Sequence, residues 1–159
     1  MKNNSRQIIL QKASHVFARN VYQDFSIRTV AKEIPLSHSV LYHYFKNEED
    51  LLKEMYESLN RNLGEKRARL PKTKTASEML KQRIKFQIDN EEEIVAVLKY
   101  YLSHRKNFKR FKNGFVPDKS ALHIEEVLRY GMETKEFSVE NLEDDAKVIT
   151  HAINGFLLE

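Results

Sequence analysis

Apolar residues recur every three or four positions along most of the chain, which is the spacing of the buried face of an amphipathic α-helix. Only 4 glycines and 3 prolines interrupt the 159 residues, so few positions end a helix. The sequence therefore predicts an all-α protein. Helices are expected at approximately residues 4–20, 26–34, 37–46, 47–69, 75–89, 90–113, 118–132 and 142–159.

The segment of residues 26–51 contains two short helices separated by a tight turn. The first has an apolar stripe at positions i, i+3, i+4 and i+7, formed by Ile27, Val30, Ala31 and Ile34. Pro35 ends this helix, because proline has no N–H to donate and disfavours helical geometry in the residue before it. Ser37 is the expected N-cap of the second helix.

The second helix has two contrasting faces. Leu41, Tyr44 and Phe45 share one face. The opposite face is polar, aromatic and basic, and it consists of Ser39, Tyr42, His43 and Lys46. Two short helices joined by a turn of a few residues, the second of which exposes such a face, are typical of the helix-turn-helix that enters the major groove of DNA.

Residues across the first third of the chain place this motif in a longer series with a fixed order and spacing. The series is Phe17, Tyr22, Ser26, Ile27, Val30, Ala31, Ser37, Leu41, Tyr42, Tyr44, Phe45 and Leu51. It resembles the DNA-binding domain of the TetR/AcrR family of bacterial transcriptional regulators. The resemblance implies a three-helix helix-turn-helix DNA-binding domain at residues 1–47 and a helical effector-binding and dimerisation domain at residues 48–159.

Four residues depart from the family pattern. Val21 stands where the family usually has glycine, and Tyr44 replaces the usual histidine. Pro35 stands where the turn glycine would be, and because proline cannot adopt a positive φ, this turn must use another geometry. Glu48 stands where the family has a lysine that touches phosphate; glutamate suits a helix N-terminus but repels phosphate.

The resemblance and the chemistry of the side chains assign two kinds of DNA contact. Contacts to the phosphate backbone, which position a protein on DNA, are assigned to Arg28, Thr29, Ser37, Tyr42 and Lys46. Contacts to base edges, which carry specificity, are assigned to His38, Ser39 and His43. The alternative interpretations are core packing for Tyr42 and simple solvent exposure for His38 and His43.

Positive charge is concentrated in the same region. The whole chain carries a net charge of +4, whereas the residues up to Lys46 carry seven Lys or Arg and two acidic residues, a net charge of +5. Phosphate binding requires such a concentration of cations. Ordinary solubility would also account for seven cations on exposed helices, so the charge supports the motif and does not replace it.

The later helices are candidates for an effector site. The resemblance implies a small-molecule cavity among them, and its candidate lining residues are Phe86, Tyr100, Tyr101, His104 and Phe108. Plain core packing is the alternative for an aromatic-rich helix. The last helix ends in mid-pattern without a capping signal. The family layout adds one more helix, which pairs with it in a dimer, so we expect that helix to be missing here.

Other functional classes find no support in the sequence. With no cysteine there is no disulfide framework or thiolate metal site, and no glycine-rich phosphate loop, metal-ligand spacing or nucleophile elbow occurs. We therefore expect no enzyme activity, metal or cofactor. No apolar run approaches the ~18 residues needed to span a membrane, and no signal-peptide pattern occurs. The expected location is the cytoplasm.

These observations lead to two hypotheses. The first is a ligand-responsive transcriptional regulator, a repressor that binds a palindromic double-stranded DNA operator as a homodimer and is released by an unknown small molecule. The alternative, motivated by Pro35 and Glu48, is a helical protein-interaction module with only weak, non-specific DNA binding.

Overall fold

The computed structural model describes residues 2–20, 24–104 and 117–158, and within these ranges the only regular structure is helical. The prediction of an all-α protein is confirmed. The helices are α1 (Lys2–Arg19), α2 (Ile27–Lys32), α3 (His38–Tyr44), α4 (Glu48–Ala68), α5 (Ala76–Asp89), α6 (Glu91–His104), α7 (Pro117–Glu133) and α8 (Leu142–Leu158).

Side-chain caps explain where several helices begin. At α2, the Ser26 Oγ accepts from the Thr29 N–H at 3.1 Å and the Thr29 Oγ1 accepts from the Ser26 N–H at 2.9 Å. Thr75 and Glu78 form the same reciprocal capping box at α5. The spacing of Thr75 and Glu78 predicted this cap, and the structure confirms it.

Packing divides the described chain into two compact units. The first unit contains α1, α2, α3, α4 up to Glu65, and α6 from Glu92. The second contains residues 66–91 with α5, together with α7 and α8. The predicted domain boundary after residue 47 separates a DNA-binding module from an effector-binding module. It concerns function and not packing, and it stays a prediction.

The core of the first unit is built from the apolar stripes of its helices. Phe17 of α1 and Phe25 meet edge to face with ring centroids 5.2 Å apart. Further fully buried side chains of this unit are Ile9, Ile27, Val30, Leu41, Phe45, Leu51, Met55, Tyr56, Val97 and Tyr100. The apolar faces of α2 and α3 are thus buried in this unit, where α2 packs against α1 and α3, and the opposite face of each helix carries exposed residues.

Polar contacts tie α6 to the end of α1 within this unit. The Lys99 ammonium donates to the carbonyl oxygens of Ala18 and, at 3.2 Å, of Asn20. The last carbonyls of a helix lack intrahelical partners, so a cation there satisfies them and suits the helix dipole. In the first turn of α6, the Glu92 carboxylate accepts from the Arg19 Nε at 3.2 Å.

The second unit packs α7 against α8 and α5. Its core is formed by Ile124, Leu128 and Ala146, with Leu80, Phe137, Val139, Leu142 and Ile149 packed against them. Within the described ranges, no helix combines the length and apolar character needed to cross a membrane. The part of the chain that the structure describes also has no group of three or more His, Cys, Asp or Glu side chains placed to hold a metal ion.

Glu136, in the turn after α7, binds the N-terminus of α5. Its carboxylate accepts from the backbone N–H groups of Ala76 at 2.9 Å and Ser77 at 3.1 Å, and from the Thr134 hydroxyl at 3.0 Å. These hydrogen bonds favour the ionised form and lower the pKa of Glu136 from 4.5 to about 2. The turn after α7 therefore supplies an additional cap to α5.

We expect Glu136→Gln to lower the free energy of unfolding at neutral pH, because the amide accepts more weakly than the carboxylate. The folded-state pKa lies below the unfolded value, so the carboxylate's contribution is complete above pH 4.5 and disappears as pH falls towards about 2. Urea unfolding between pH 2 and 7 should show the difference between wild type and Glu136→Gln shrinking in that window. Glu140→Gln, in the same connection, is the control; an equal effect there would contradict the capping role.

Candidate nucleic-acid interface

The two faces of α3 differ as the sequence predicts. Leu41 is completely buried and Phe45 is 1% exposed, whereas Tyr42 is 51% exposed. Exposure excludes core packing for Tyr42. The other residues of the outer face are also exposed, namely Ser39, His43 and Lys46. The four side chains form one surface, which is called the α3 outer face below.

The connection from α2 to α3 accommodates Pro35 without a glycine. The Leu36 N–H donates to the Ile34 carbonyl at 2.7 Å, which closes a three-residue turn around the proline. An inverse turn of this kind needs a central φ close to the one that the proline ring imposes. Lys135, far from this turn, is the one described non-glycine residue with a positive φ. The helix pair therefore forms with a different turn from the glycine turn of the family pattern.

The N-terminus of α3 differs from the prediction. Ser37 precedes the helix with an extended backbone, but its side chain makes no capping hydrogen bond. Its hydroxyl lies 2.8 Å from the Ser39 hydroxyl, so both hydroxyls are presented together at the start of α3. His38 is the first residue of the helix, and its side chain lies outside the described part of the structure.

The predicted phosphate contacts of α2 lie in its first turn. Arg28 is exposed. The Thr29 hydroxyl donates to the Ser26 carbonyl at 2.8 Å in addition to its role in the capping box, so it already has partners. DNA contact by the residues assigned from the sequence stays a prediction for all eight of them.

Glu48 has a structural partner that explains its departure from the family pattern. Its Oε1 accepts from the Ile27 N–H, the first backbone N–H of α2, at 3.3 Å. Asn47 caps α4, since its Oδ1 accepts from the Asp50 N–H at 2.8 Å. The carboxylate of Glu48 thus lies at the start of α2, where it supplies negative charge beside the proposed DNA surface.

Arg6 is a residue of this region whose role the sequence analysis missed. Its Nε donates to Glu54 Oε2 at 2.8 Å, its Nη2 pairs with the other carboxylate oxygen, and the guanidinium lies 4.9 Å from the Phe45 ring centroid. The hydrogen bond to Glu54 raises the pKa of Arg6. One side chain of α1 therefore fixes α4 and the end of α3 together.

The five candidate effector residues are not all in one unit. Phe86 belongs to the second unit, whereas Tyr100, Tyr101 and His104 belong to the first. Tyr100 is fully buried and stacks on Tyr56, with ring centroids 4.6 Å apart. It also stacks on His104, at 4.1 Å. Phe108 lies outside the described residues, as do Val21 and Tyr22 of the family series.

The second unit has a cavity of about 210 Å³ near Phe86. Its walls come from the end of α4, from α5 and from α7, and they are formed by Arg67, Leu70, Met79, Gln82, Arg83, Phe86, Gln87, His123, Glu126 and Val127. The sequence analysis missed Arg67, Arg83 and Gln87 of this set. A signal was present on α5, where Arg83 and Gln87 follow Met79 at helical spacing on one face.

Comparison with known proteins identifies the N-terminal part of the chain. Residues 9–55 match the sequence model of the family described as "Bacterial regulatory proteins, tetR family". Residues 9–55 form a TetR-family helix-turn-helix domain. The resemblance stated from the sequence is confirmed, and the fold is that of a DNA-binding regulator. No curated protein matches the chain.

Two solved structures resemble the chain over most of its length. One, titled "Molecular basis for control of antibiotic production by a bacterial hormones", is 18% identical with a TM-score of 0.63, and the match covers 96% of this chain and 82% of that one. The other is a transcriptional regulator from Cytophaga hutchinsonii ATCC 33406, 20% identical with a TM-score of 0.59, covering 94% and 78%. At these identities the likeness supports the fold, including the helices that follow the TetR-family domain.

Proposed function

We propose that the protein is a ligand-responsive transcriptional repressor that binds a near-palindromic operator as a homodimer. One observation carries this proposal: the TetR-family domain exposes the α3 outer face while Leu41 and Phe45 hold the opposite side of α3 in the core. A rigidly backed, exposed helix face is what insertion into a major groove needs. In a dimer, two such helices read half-sites roughly 34–36 Å apart.

The chemistry of the α3 outer face supports this mode of binding. Lys46 provides a cation for a phosphate, and the Tyr42 hydroxyl provides a neutral donor for another. Ser39 and His43 can each donate or accept a hydrogen bond at a base edge. His38 completes the predicted set of base contacts, and Arg28 the set of phosphate contacts.

An exposed apolar stripe on α8 supports the homodimer. Val148 and Phe156 are 65% and 69% exposed, and Ala152 and Gly155 are exposed between them. The four residues lie at i, i+4, i+7 and i+8, which is one helix face. Water-exposed apolar surface of this kind is reduced when two copies pack through it, and small residues in its middle permit two helices to approach closely.

Release from DNA is proposed to follow from ligand binding in the cavity of the second unit. A ligand shifts the population towards the state that it binds more tightly, so release requires higher ligand affinity in the state that does not fit the operator. Arg67 of the cavity wall lies near the end of α4, the helix that Asn47 caps and whose first turn holds Glu48.

Selection of bound sequences from a pool of random duplex DNA tests this function. The proposal predicts enrichment of an inverted repeat whose half-sites are one helical turn, about 10 base pairs, apart. Equal binding of all sequences, with affinity that collapses as salt rises, would instead support the interaction-module alternative.

We expect Glu48→Lys to strengthen binding to every duplex several-fold, because it replaces a repelling charge at the DNA surface by a cation. Each additional phosphate that the protein neutralises should steepen the dependence of log K on log salt by about 0.9. Fluorescence anisotropy over a salt series measures both quantities. Glu57→Lys, an exposed site further along α4, is the charge-matched control, and equal slopes for the two variants would contradict a phosphate position at Glu48.

A further inference from the structure

Two partly buried arginine side chains, Arg67 and Arg83, line the cavity of the second unit. Burial, together with the nearby Arg67, lowers the pKa of Arg83 to about 10. Burial also lowers the pKa of Arg67. Both guanidiniums remain charged at neutral pH, and an anion beside them would be favoured because it offsets the desolvation and the repulsion between the two cations.

The other walls of the cavity favour an organic ligand over an inorganic ion. Leu70, Met79, Phe86 and Val127 supply apolar surface. Arg67 lies 5.3 Å from the Phe86 ring centroid. Contact with a ring uses the face of a guanidinium, and its N–H donors point outwards in the plane, where a carboxylate can accept two of them.

Gln87 adds a buried amide oxygen that lacks a hydrogen-bond donor. Its side chain lies in the cavity wall and is only 6% exposed, and its Oε1 has no hydrogen-bond partner among the described residues. A buried amide oxygen without a donor costs free energy, so the position favours a ligand that carries a donor.

The lining contains two cationic side chains, one acidic side chain and one histidine. Glu126 is the one acidic residue among those named for the cavity, and its carboxylate is 75% exposed and 3.2 Å from His123 Nδ1. Solvent screens an exposed carboxylate more effectively than it screens the two partly buried guanidiniums. With His123 neutral, the lining retains a net charge of +1.

We propose that this cavity binds a small organic carboxylate with an apolar body and a second, hydrogen-bond-donating group. Arg67 and Arg83 hold the carboxylate, the apolar wall contacts the body, and Gln87 accepts from the donor. This inference rests on the proposed function in one respect only, which is that the bound carboxylate acts as the effector.

Calorimetric titration of the full chain without DNA tests the binding site. The probes are 4-hydroxybenzoate, its neutral isostere 4-hydroxybenzamide, and benzoate, which lacks the hydroxyl. We expect 4-hydroxybenzoate to bind at least about tenfold more tightly than the neutral amide. Benzoate should bind more weakly than 4-hydroxybenzoate, because it leaves Gln87 without a donor. A short aliphatic set, hexanoate and 3-hydroxybutyrate, covers bodies of a different shape.

Arg83→Gln should reduce carboxylate affinity by about tenfold to a hundredfold, since a charge-assisted hydrogen bond is lost. Lys81→Gln, which removes an exposed cation from the same helix, should leave affinity unchanged. If Arg83→Gln does not fold, as judged by circular dichroism, Arg67→Gln provides the same test. Equal binding of the acid and the amide, retained affinity in the arginine variant, or no binding of any probe at millimolar concentration would overturn the inference.

The outcome for the effector is separable from the outcome for the regulator. A carboxylate that binds the wild type but not Arg83→Gln, and releases operator DNA only from the wild type, supports both proposals. Specific operator binding with no carboxylate binding would overturn the carboxylate site and leave the proposed regulator function unaffected. Carboxylate binding without specific DNA binding would support the carboxylate site and overturn the regulator proposal.

Discussion

Replacing Tyr42 and Lys46 together by alanine should lower affinity for the operator by about a hundredfold. Tyr42 is 51% exposed, so its removal leaves the core intact. The double variant loses the hydroxyl of Tyr42 and the ammonium of Lys46 from the α3 outer face, and a hydrogen bond to a charged group such as a phosphate is worth about 1.5–3 kcal/mol. Fluorescence anisotropy with labelled operator measures the loss, and unfolding by urea verifies that stability is unchanged.

The double substitution Ile8→Ala with Lys12→Ala is the matched control for this test. It also removes one large exposed side chain and one lysine four residues later, but from α1. Its operator affinity should remain within about twofold of the wild type, since exposed substitutions away from a binding surface are usually worth less than about 0.5 kcal/mol. A similar loss in both double variants would mean that general positive charge, and not the α3 outer face, provides the affinity.

Tyr100→Ala should destabilise the protein by about 3–5 kcal/mol, as is typical when a fully buried aromatic is truncated. Tyr100 is completely buried in the first unit and stacks on both Tyr56 and His104. Its removal leaves a cavity between α4 and α6 and both stacking partners lose a neighbour. Urea denaturation, followed by far-ultraviolet circular dichroism, measures the change.

Leu102→Ala on the same helix is the control, because Leu102 is 49% exposed and its truncation should cost less than about 0.5 kcal/mol. The comparison bears on the function of Tyr100, which the sequence analysis assigned to an effector cavity. A side chain that lines an open cavity is truncated at little cost. If Tyr100→Ala and Leu102→Ala have the same small effect, the structural role of Tyr100 is contradicted.

Features that depend on nearby residues could be predicted from the sequence. The capping box at Thr75 and Glu78 joins residues three positions apart, and helical periodicity alone separates Leu41 from Tyr42 on α3. The identification of the TetR-family domain succeeded for the same reason, because its residues follow one another within a single short segment. The turn at Pro35 could be predicted to lack the glycine geometry, but the hydrogen bond that closes it could not.

Features that depend on distant residues could not be predicted. The Arg6–Glu54 pair joins residues 48 positions apart, and the contact of Lys99 with the end of α1 spans 81 positions. The grouping of Phe86 with Tyr100 stays a prediction, since the two residues lie in different units and aromatic composition does not say which helices pack together. Arg83 could not be recognised from the sequence as a binding residue. A single arginine on the face of α5 looks like an ordinary exposed residue until its spatial neighbours are known.

The central claim is sequence-specific recognition of DNA by the α3 outer face, and one measurement tests it most directly. Binding of the purified protein to the DNA immediately upstream of its own coding region is compared with binding to a scrambled duplex at two salt concentrations. We predict a preference of ~10³ or more that persists at the higher salt. No preference, with both affinities falling together as salt rises, would show that only the phosphate backbone is contacted and would contradict the claim.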